Sequence, residues 1–329
     1  MNLHNVQEIP DNNIEQFIPL ADRTWFKTGG SARFFSAPTS MQEFQQAITF
    51  AQSYTIPVFV LGEGANILIS DQGFEGLVIR PALKNIHHKQ VDGAALVTAG
   101  AGTSMHDLIE YCLHHEIIGL EEFSGIPGTV GGSVYINLHY FEFLLDQFLL
   151  CAQVIHRTTG QVLTVDTSWF NFGYNKSRLL AQDYYLLEAT FLLKSATPLH
   201  VMYARGRRTE IIRHRERRYP TQGTCGSFFR NFHEDEVTLE LNGKKMLFVA
   251  YYLDKLGVKG SLSVGGARVS HQHANMLVNT GTATSTDIIA LARTMQSMVY
   301  DAYGIIPQPE CQLVGFKTYP LLKKGSDVQ

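Results

Sequence analysis

Apolar residues recur at helical spacing in Met41–Ser53, at Met41, Phe44, Ala47, Ile48 and Ala51, and predict an amphipathic helix. Residues 57–61 form a short apolar run of buried-strand type. This run leads into Gly62-Glu63-Gly64-Ala65-Asn66 and then a second run, Ile67–Ile69. Helix, strand, glycine turn and strand in close succession predict an α/β beginning. Strands are predicted at 76–80, 95–102 and 185–193, and a hairpin at 153–165 turning on Thr159-Gly160. Residues 104–115 read as a helix opened by Ser104. A second helix, 200–218, carries Arg205, Arg207, Arg208, Arg213, Arg215, Arg217 and Arg218. A solvated face is its plain reading, and a cationic end facing an anionic ligand is the sharper one. Helices are also predicted at 246–256, stopped by Gly257, and at Ser285–Tyr303, with Asp287 near its start and Gly304 past its end. Residues 1–22 read as an irregular lead-in.

Composition narrows the class. The 329 residues are 45% hydrophobic and 17% charged, which suits two or three folded units and excludes a disordered chain. A net charge of −3 argues against a broad nucleic-acid-binding surface. Cys112, Cys151, Cys225 and Cys311 form no CxxC pair, so a reduced, cytoplasmic compartment without structural zinc is expected. The first twenty residues lack the basic and apolar regions of a signal peptide. The most apolar stretch, 140–155, is short and interrupted by Glu142 and Asp146, so no membrane partner is expected.

Two glycine-dense segments stand out. In Gly62–Asn66, freed backbone N–H groups suit an anion-binding nest, and a plain hairpin turn suits the residues equally. The spacing is not a dinucleotide fingerprint, and no helix is predicted after it. The second segment, 125–133, combines Gly125, Pro127, Gly128, Gly131 and Gly132 with the hydroxyls of Thr129 and Ser133. It suits a pyrophosphate or a tight structural loop. Together the two segments favour a phosphate-bearing cofactor. Ser227 follows Cys225-Gly226 in a tight loop. Phe229 stands where a nucleophile elbow needs glycine, so a turn is the stronger reading by residue type. Glu310 follows prolines 307 and 309, which restrict the backbone ahead of it; a solvated carboxylate is the default. The pairs His87-His88 and His114-His115, and His271 with His273, have no acidic ligand nearby in sequence, so no metal is expected.

Taken in order, six runs resemble the UDP-N-acetylenolpyruvoylglucosamine reductases. They are Lys27-Thr28-Gly29-Gly30, Leu61-Gly62-Glu63-Gly64-Ala65-Asn66, residues 125–132, Cys225-Gly226-Ser227-Phe228-Phe229-Arg230-Asn231, Gly265-Gly266-Ala267-Arg268-Val269-Ser270 and Pro309-Glu310. The resemblance implies an α+β fold with a two-part FAD-binding domain of the vanillyl-alcohol-oxidase type and a third, substrate-binding part. It assigns 1–80 and 81–213 (with a return at 304–329) to the cofactor and 214–303 to the substrate. It implies that NADPH reduces FAD at N5, and that hydride then passes to the enolpyruvyl group of a UDP-sugar. Ser227 matches the proton donor and Glu310 a carboxylate assisting at the substrate carboxylate. Arg218, Asn231 and His273 match substrate-contacting positions. Flavin contacts are implied for Gly62, Gly64, Ala65, Asn66, Thr129, Gly132 and Ser133.

Five positions depart from the family pattern. Asn175 occupies the place of a catalytic arginine, and a neutral amide does not replace a bidentate guanidinium. Lys176 and Arg178 are the cations nearest to it in sequence. His139 and Glu142 replace glycines that the family keeps near the flavin. Ala65 stands for a serine, and Gln312 for an arginine. These departures keep an alternative open: a flavin-binding homologue with lost or altered catalysis. Nothing in the sequence bears on oligomeric state.

Overall fold

The computed structural model describes residues 13–323; the first half of the expected lead-in lies outside them. Packing divides the chain into two units. The first comprises the described residues before Pro19, then Ala32–Glu63 and Glu75–His214. The second comprises Pro19–Ser31, Gly64–Phe74 and the described residues from Arg215 onward.

In the first unit, α1 (Met41–Ser53) forms where its periodicity predicts. Ser40 caps it by accepting from the Glu43 N–H, and Phe44, Ala47, Ile48 and Ala51 are buried. They pack on a four-stranded sheet ordered Glu15–Pro19, Ser31–Ser36, Phe74–Ile79, Val58–Val60, with the last pair parallel. A second, antiparallel sheet runs Val162–Asp166, Leu149–His156, Tyr184–Ser195, Ala94–Gly100, Ile86–Val91, with Ile117–Ile118 beside Tyr184–Ser195. Its apolar face is covered by α2 (Met105–His114), capped by Ser104, and by α3 (Val130–Ile136), capped by Thr129. The strands Glu15–Pro19 and Ile86–Val91 have no counterpart among the predicted elements. Both are mostly exposed, so neither shows a buried run. In α4 (Pro198–Arg218), Arg205 and Arg208 pair with Glu110, and Arg207 forms a fork with Glu122. Arg205 and Arg207 remain exposed, as a solvated face predicts, and Arg208 is the partly buried member of the paired set.

The second unit has a core built on α5 (Val249–Lys255) and α6 (Ser285–Tyr303), with Phe228, Phe229, Tyr252, Ile288 and Met295 buried. The α5 helix starts later than its pattern predicts, because the Leu247 carbonyl accepts from Phe232 N–H and the Met246 carbonyl from the Tyr252 hydroxyl. Beside these helices are a three-stranded sheet, Ser263–Val264, Ala267–Val269 and Leu277–Asn279, and a parallel pair, Ile67–Ile69 with Gln312–Val314. Asp71 closes the N-terminus of α6, accepting from the backbone N–H groups of Ser285 and Thr286.

Candidate active site

The strand Val58–Val60 pairs with Phe74–Ile79, whereas Ile67–Ile69 pairs with Gln312–Val314. The Gly62–Asn66 segment is therefore a crossover between separate sheets, which corrects the hairpin alternative.

Within the first unit, the two glycine-dense segments meet. A Cβ added to Gly62 would stand 2.8 Å from Thr129 Oγ1, and that hydroxyl is engaged in accepting from the Gly132 N–H at 3.2 Å. Burial pushes the Glu63 carboxyl up from its ordinary value, and the backbone N–H of Gly128 works against that shift. Gly125 and Gly128 take positive φ angles of 74° and 152°, which only glycine adopts freely at the latter. Residues 130–136 are helical rather than a loop. Gly131 belongs there because its backbone N–H donates to the Ala101 carbonyl at 2.9 Å, and a Cβ would approach that oxygen to 3.1 Å. Ser133 is buried, and the hydroxyls of Thr103 and Ser124 are buried without a partner. Glu63, Thr103 and Ser124 were not singled out by sequence; their only signal is adjacency to the glycines.

Also in the first unit, the turn Gly173–Lys176 is tied to the end of α3. Asn137 Nδ2 donates to the Gly173 carbonyl at 3.3 Å, and Ser177 Oγ donates to the Tyr135 carbonyl at 2.6 Å. Asn175 sits at the turn tip with φ +50°, and its neighbour Tyr174 lies 4.6 Å, ring to ring, from His139. Burial lowers the His139 pKa, favouring the neutral imidazole. Glu142 is exposed. Of the two nearby cations, Lys176 is exposed, and the Arg178 guanidinium stacks 4.6 Å over Trp169.

The second unit gathers most of the remaining candidates. Gly226 takes φ +80°, and its N–H donates to Thr224 Oγ1, which turns the chain into Ser227. Ser227 pairs with Met276 in an isolated bridge, and the Met276 N–H donates to the His273 carbonyl at 3.1 Å. The Glu310 N–H donates to the Phe228 carbonyl at 2.8 Å, so Glu310 is a half-buried residue beside Ser227 rather than a free surface carboxylate. The Gln312 N–H donates to the Asn66 carbonyl at 3.0 Å, which links Asn66 to this segment, and Asn66 Oδ1 is buried without a partner. Gly64 packs so closely that a Cβ would lie 2.5 Å from the Arg23 carbonyl; Ala65 follows it. His273 and Arg218 flank Tyr219, at 5.5 Å and 5.7 Å. Burial, with the positive charges of Arg218 and Lys259 and against the pull of Asp254, brings the His273 pKa down to about 4. Asn231 lends its carbonyl to Arg230, whose guanidinium forms a two-point pair with Glu236.

Residues 218–314 match the UDP-N-acetylenolpyruvoylglucosamine reductase C-terminal domain, and residues 32–166 match an FAD binding domain. A reductase of this name, numbered 2, from Bacillus anthracis is 30% identical over 321 residues, covering 96% of this chain and 99% of the relative. The chain belongs to the UDP-N-acetylenolpyruvoylglucosamine reductase family. The family's protein from Synechococcus sp. is 32% identical over 311 residues, covering 94% of this chain and 96% of the relative. The crystal structure of the Thermus caldophilus reductase superposes with a TM-score of 0.73 at 26% identity, covering 92% of this chain and 98% of that one.

The family and its α+β fold are as the sequence motifs imply, and the protein is an FAD-dependent oxidoreductase of this family. The residues fit such a cofactor. Within the first unit, the partnerless buried hydroxyls of Thr103 and Ser124, next in the chain or by hydrogen bond to the 125–133 segment, are donors that a close-lying phosphate or sugar would satisfy. Among the described residues no cluster of three metal-ligating side chains forms, and no helix is long and apolar enough to cross a membrane.

Proposed function

We propose that the protein reduces UDP-N-acetylglucosamine-enolpyruvate to UDP-N-acetylmuramate with NADPH, in the cytoplasm. The reading is carried by the juxtaposition of Ser227 and Glu310 through the Glu310–Phe228 hydrogen bond, in a chain of this family. Gly62, Gly64, Ala65, Asn66, Thr129, Gly132 and Ser133 hold FAD, which when bound supplies the two-electron carrier between NADPH and the substrate carbon. Ser227 Oγ gives its proton to the carbon beside the one that has accepted hydride. Such a step needs a hydroxyl fixed by its backbone, and the Thr224–Gly226 turn and the Met276 bridge supply that. Glu310 and Asn175 act at the substrate carboxylate end, and Arg218, Asn231 and His273 bind the sugar nucleotide. Residues 1–80 and 81–213, with 304–329, form the cofactor-binding parts, and 214–303 the substrate-binding part.

A second reading, a flavin-binding homologue with altered catalysis, is favoured by Asn175 standing in place of an arginine while Lys176 is exposed and Arg178 is engaged with Trp169. NADPH oxidation with and without the enolpyruvyl substrate decides between them. Substrate-dependent turnover is expected. A yellow protein whose NADPH consumption is indifferent to substrate would establish the second reading.

A further inference from the structure

Gln296 is fully buried in α6, where Ala292, Met295 and Val299 are buried apolar residues. A carboxamide is costly to bury unless its donors and acceptor are paired. Here they are. Nε2 donates to the Pro307 carbonyl at 2.7 Å and to the Leu322 carbonyl at 3.1 Å, and Oε1 accepts from the Leu322 N–H at 2.9 Å. Neither partner lies in a helix or strand, so no regular ladder satisfies these groups. An apolar side chain would fill the same place in the core and leave all three without this partner.

The segment that begins at Pro307 is stiff. Prolines 307 and 309 fix their own φ angles and disfavour helical backbone at Ile306 and Gln308. One edge of the segment is fastened to residues 228–230. The Arg230 N–H donates to the Gln308 carbonyl at 3.0 Å and the Glu310 N–H to the Phe228 carbonyl at 2.8 Å, on either side of the Phe229–Pro309 bridge. Two bonds along one edge set a hinge line and leave rotation about it. The Pro307 carbonyl is a third point, and Gln296 holds it. We propose that Gln296 is a positioning residue for Glu310: it fixes the rotation of the Pro307–Glu310 segment and ties that setting to Leu322. The inference rests on the reading of Glu310 as the carboxylate that acts at the substrate. Gln296, being fully buried, acts through Pro307 and not by contact with the substrate.

The test follows the two half-reactions of the FAD-loaded protein separately by stopped-flow absorbance. Gln296→Met roughly keeps the volume in the core and removes all three bonds. Reoxidation of the NADPH-reduced flavin by the enolpyruvyl substrate is expected to slow by about tenfold to a hundredfold, the cost of a small misplacement. Reduction by NADPH keeps its rate. In a Glu310→Gln background the same substitution is expected to cost the substrate step nothing further. A merely structural role would slow both half-reactions and persist in that background. Amide exchange at Gln308, Glu310 and Cys311 is expected to quicken in Gln296→Met, with Ala267–Val269 unchanged. Should Gln296→Met fail to fold, Pro307→Ala keeps the carbonyl and loosens the segment. It is expected to give the same selective loss, and the absence of that loss would count against the proposal. Equal losses in both half-reactions, a loss that survives Glu310→Gln, or unchanged exchange at 308–311 would overturn it. If the substrate does not reoxidise the wild-type flavin, the reductase reading fails, and the exchange measurement still decides whether Gln296 holds this segment.

Discussion

The carboxamide of Asn275 grips the backbone of Phe229 at both ends: the Phe229 N–H donates to Oδ1 at 3.1 Å, and Nδ2 donates to the Phe229 carbonyl at 2.7 Å. Asn275 also accepts from the Phe228 N–H through its own carbonyl. It thus substitutes for a neighbouring strand along the residues that follow Ser227. Removing the side chain leaves two buried backbone groups unpaired, at about 1–3 kcal/mol each. Asn275→Ala is expected to lower stability by about 3 kcal/mol in urea unfolding and to reduce turnover more than FAD content. Asn275→Asp keeps the acceptor but sets a buried carboxylate oxygen against the Phe229 carbonyl, so its loss of stability should be at least as large. A variant as stable as the wild type would show that the clamp carries no energy.

Ser227→Ala removes the proposed proton donor without adding volume to the Gly226 turn. General acid catalysis by a placed group is worth about 10²–10⁴ in rate. Substrate-dependent turnover should fall by that factor, while bleaching of the yellow colour by NADPH alone keeps its rate. Stopped-flow absorbance separates the two half-reactions. An equal loss in both would mean that Ser227 supports the flavin and does not supply the proton.

Where sequence and structure agree, the signal is local. The α6 helix is punctuated at both ends: Thr284 and Asp287 cap each other's backbone, and Gly304 closes the helix at φ +69°. The α1 and α2 helices likewise show their capping serines. Legibility fails where a distant contact decides. Gly131 and Gly132 read as loop, yet they are helical because Thr129 caps them and Ala101 leaves no room for a Cβ at 131. Ser227 and Glu310 are distant in sequence and undistinguished by residue type. The six ordered motifs point to them, and the Phe228–Glu310 hydrogen bond brings them together. Asn275 has no sequence signal, since a side chain that mimics a strand looks like any polar loop residue.

Gly62 and Thr129 should behave as a coupled pair. An alanine at 62 pushes Thr129 Oγ1 away from a 2.8 Å approach, and the hydroxyl then loses its bond to the Gly132 N–H. Loss of such a cap costs about 1 kcal/mol. Gly62→Ala is expected to reduce stability by at least that much and to weaken FAD retention on gel filtration. In a Thr129→Ala background the added cost of Gly62→Ala should shrink, because the obstructing oxygen is gone. Strictly additive effects in the double-mutant cycle would show that the two residues do not share this contact.

His273 gives the protein a defined acid sensitivity. Its folded pKa, about 4, lies below the 6.5 of an exposed imidazole. Between those values the unfolded chain binds a proton that the folded chain refuses. The unfolded state therefore gains as pH falls, so this contribution to stability is fully present above pH 6.5 and is lost on acidification toward 4. A shift of this size is worth about 3 kcal/mol across the window. Arg218 and Lys259 supply part of the shift after burial, so Arg218→Met should raise the folded pKa and flatten the slope. His273→Gln, which cannot take a proton, should remove this group's contribution. Urea unfolding at intervals from pH 7 to pH 4.5 reads both variants. An unchanged slope in His273→Gln would mean that His273 is protonated in the folded protein at ordinary acidity.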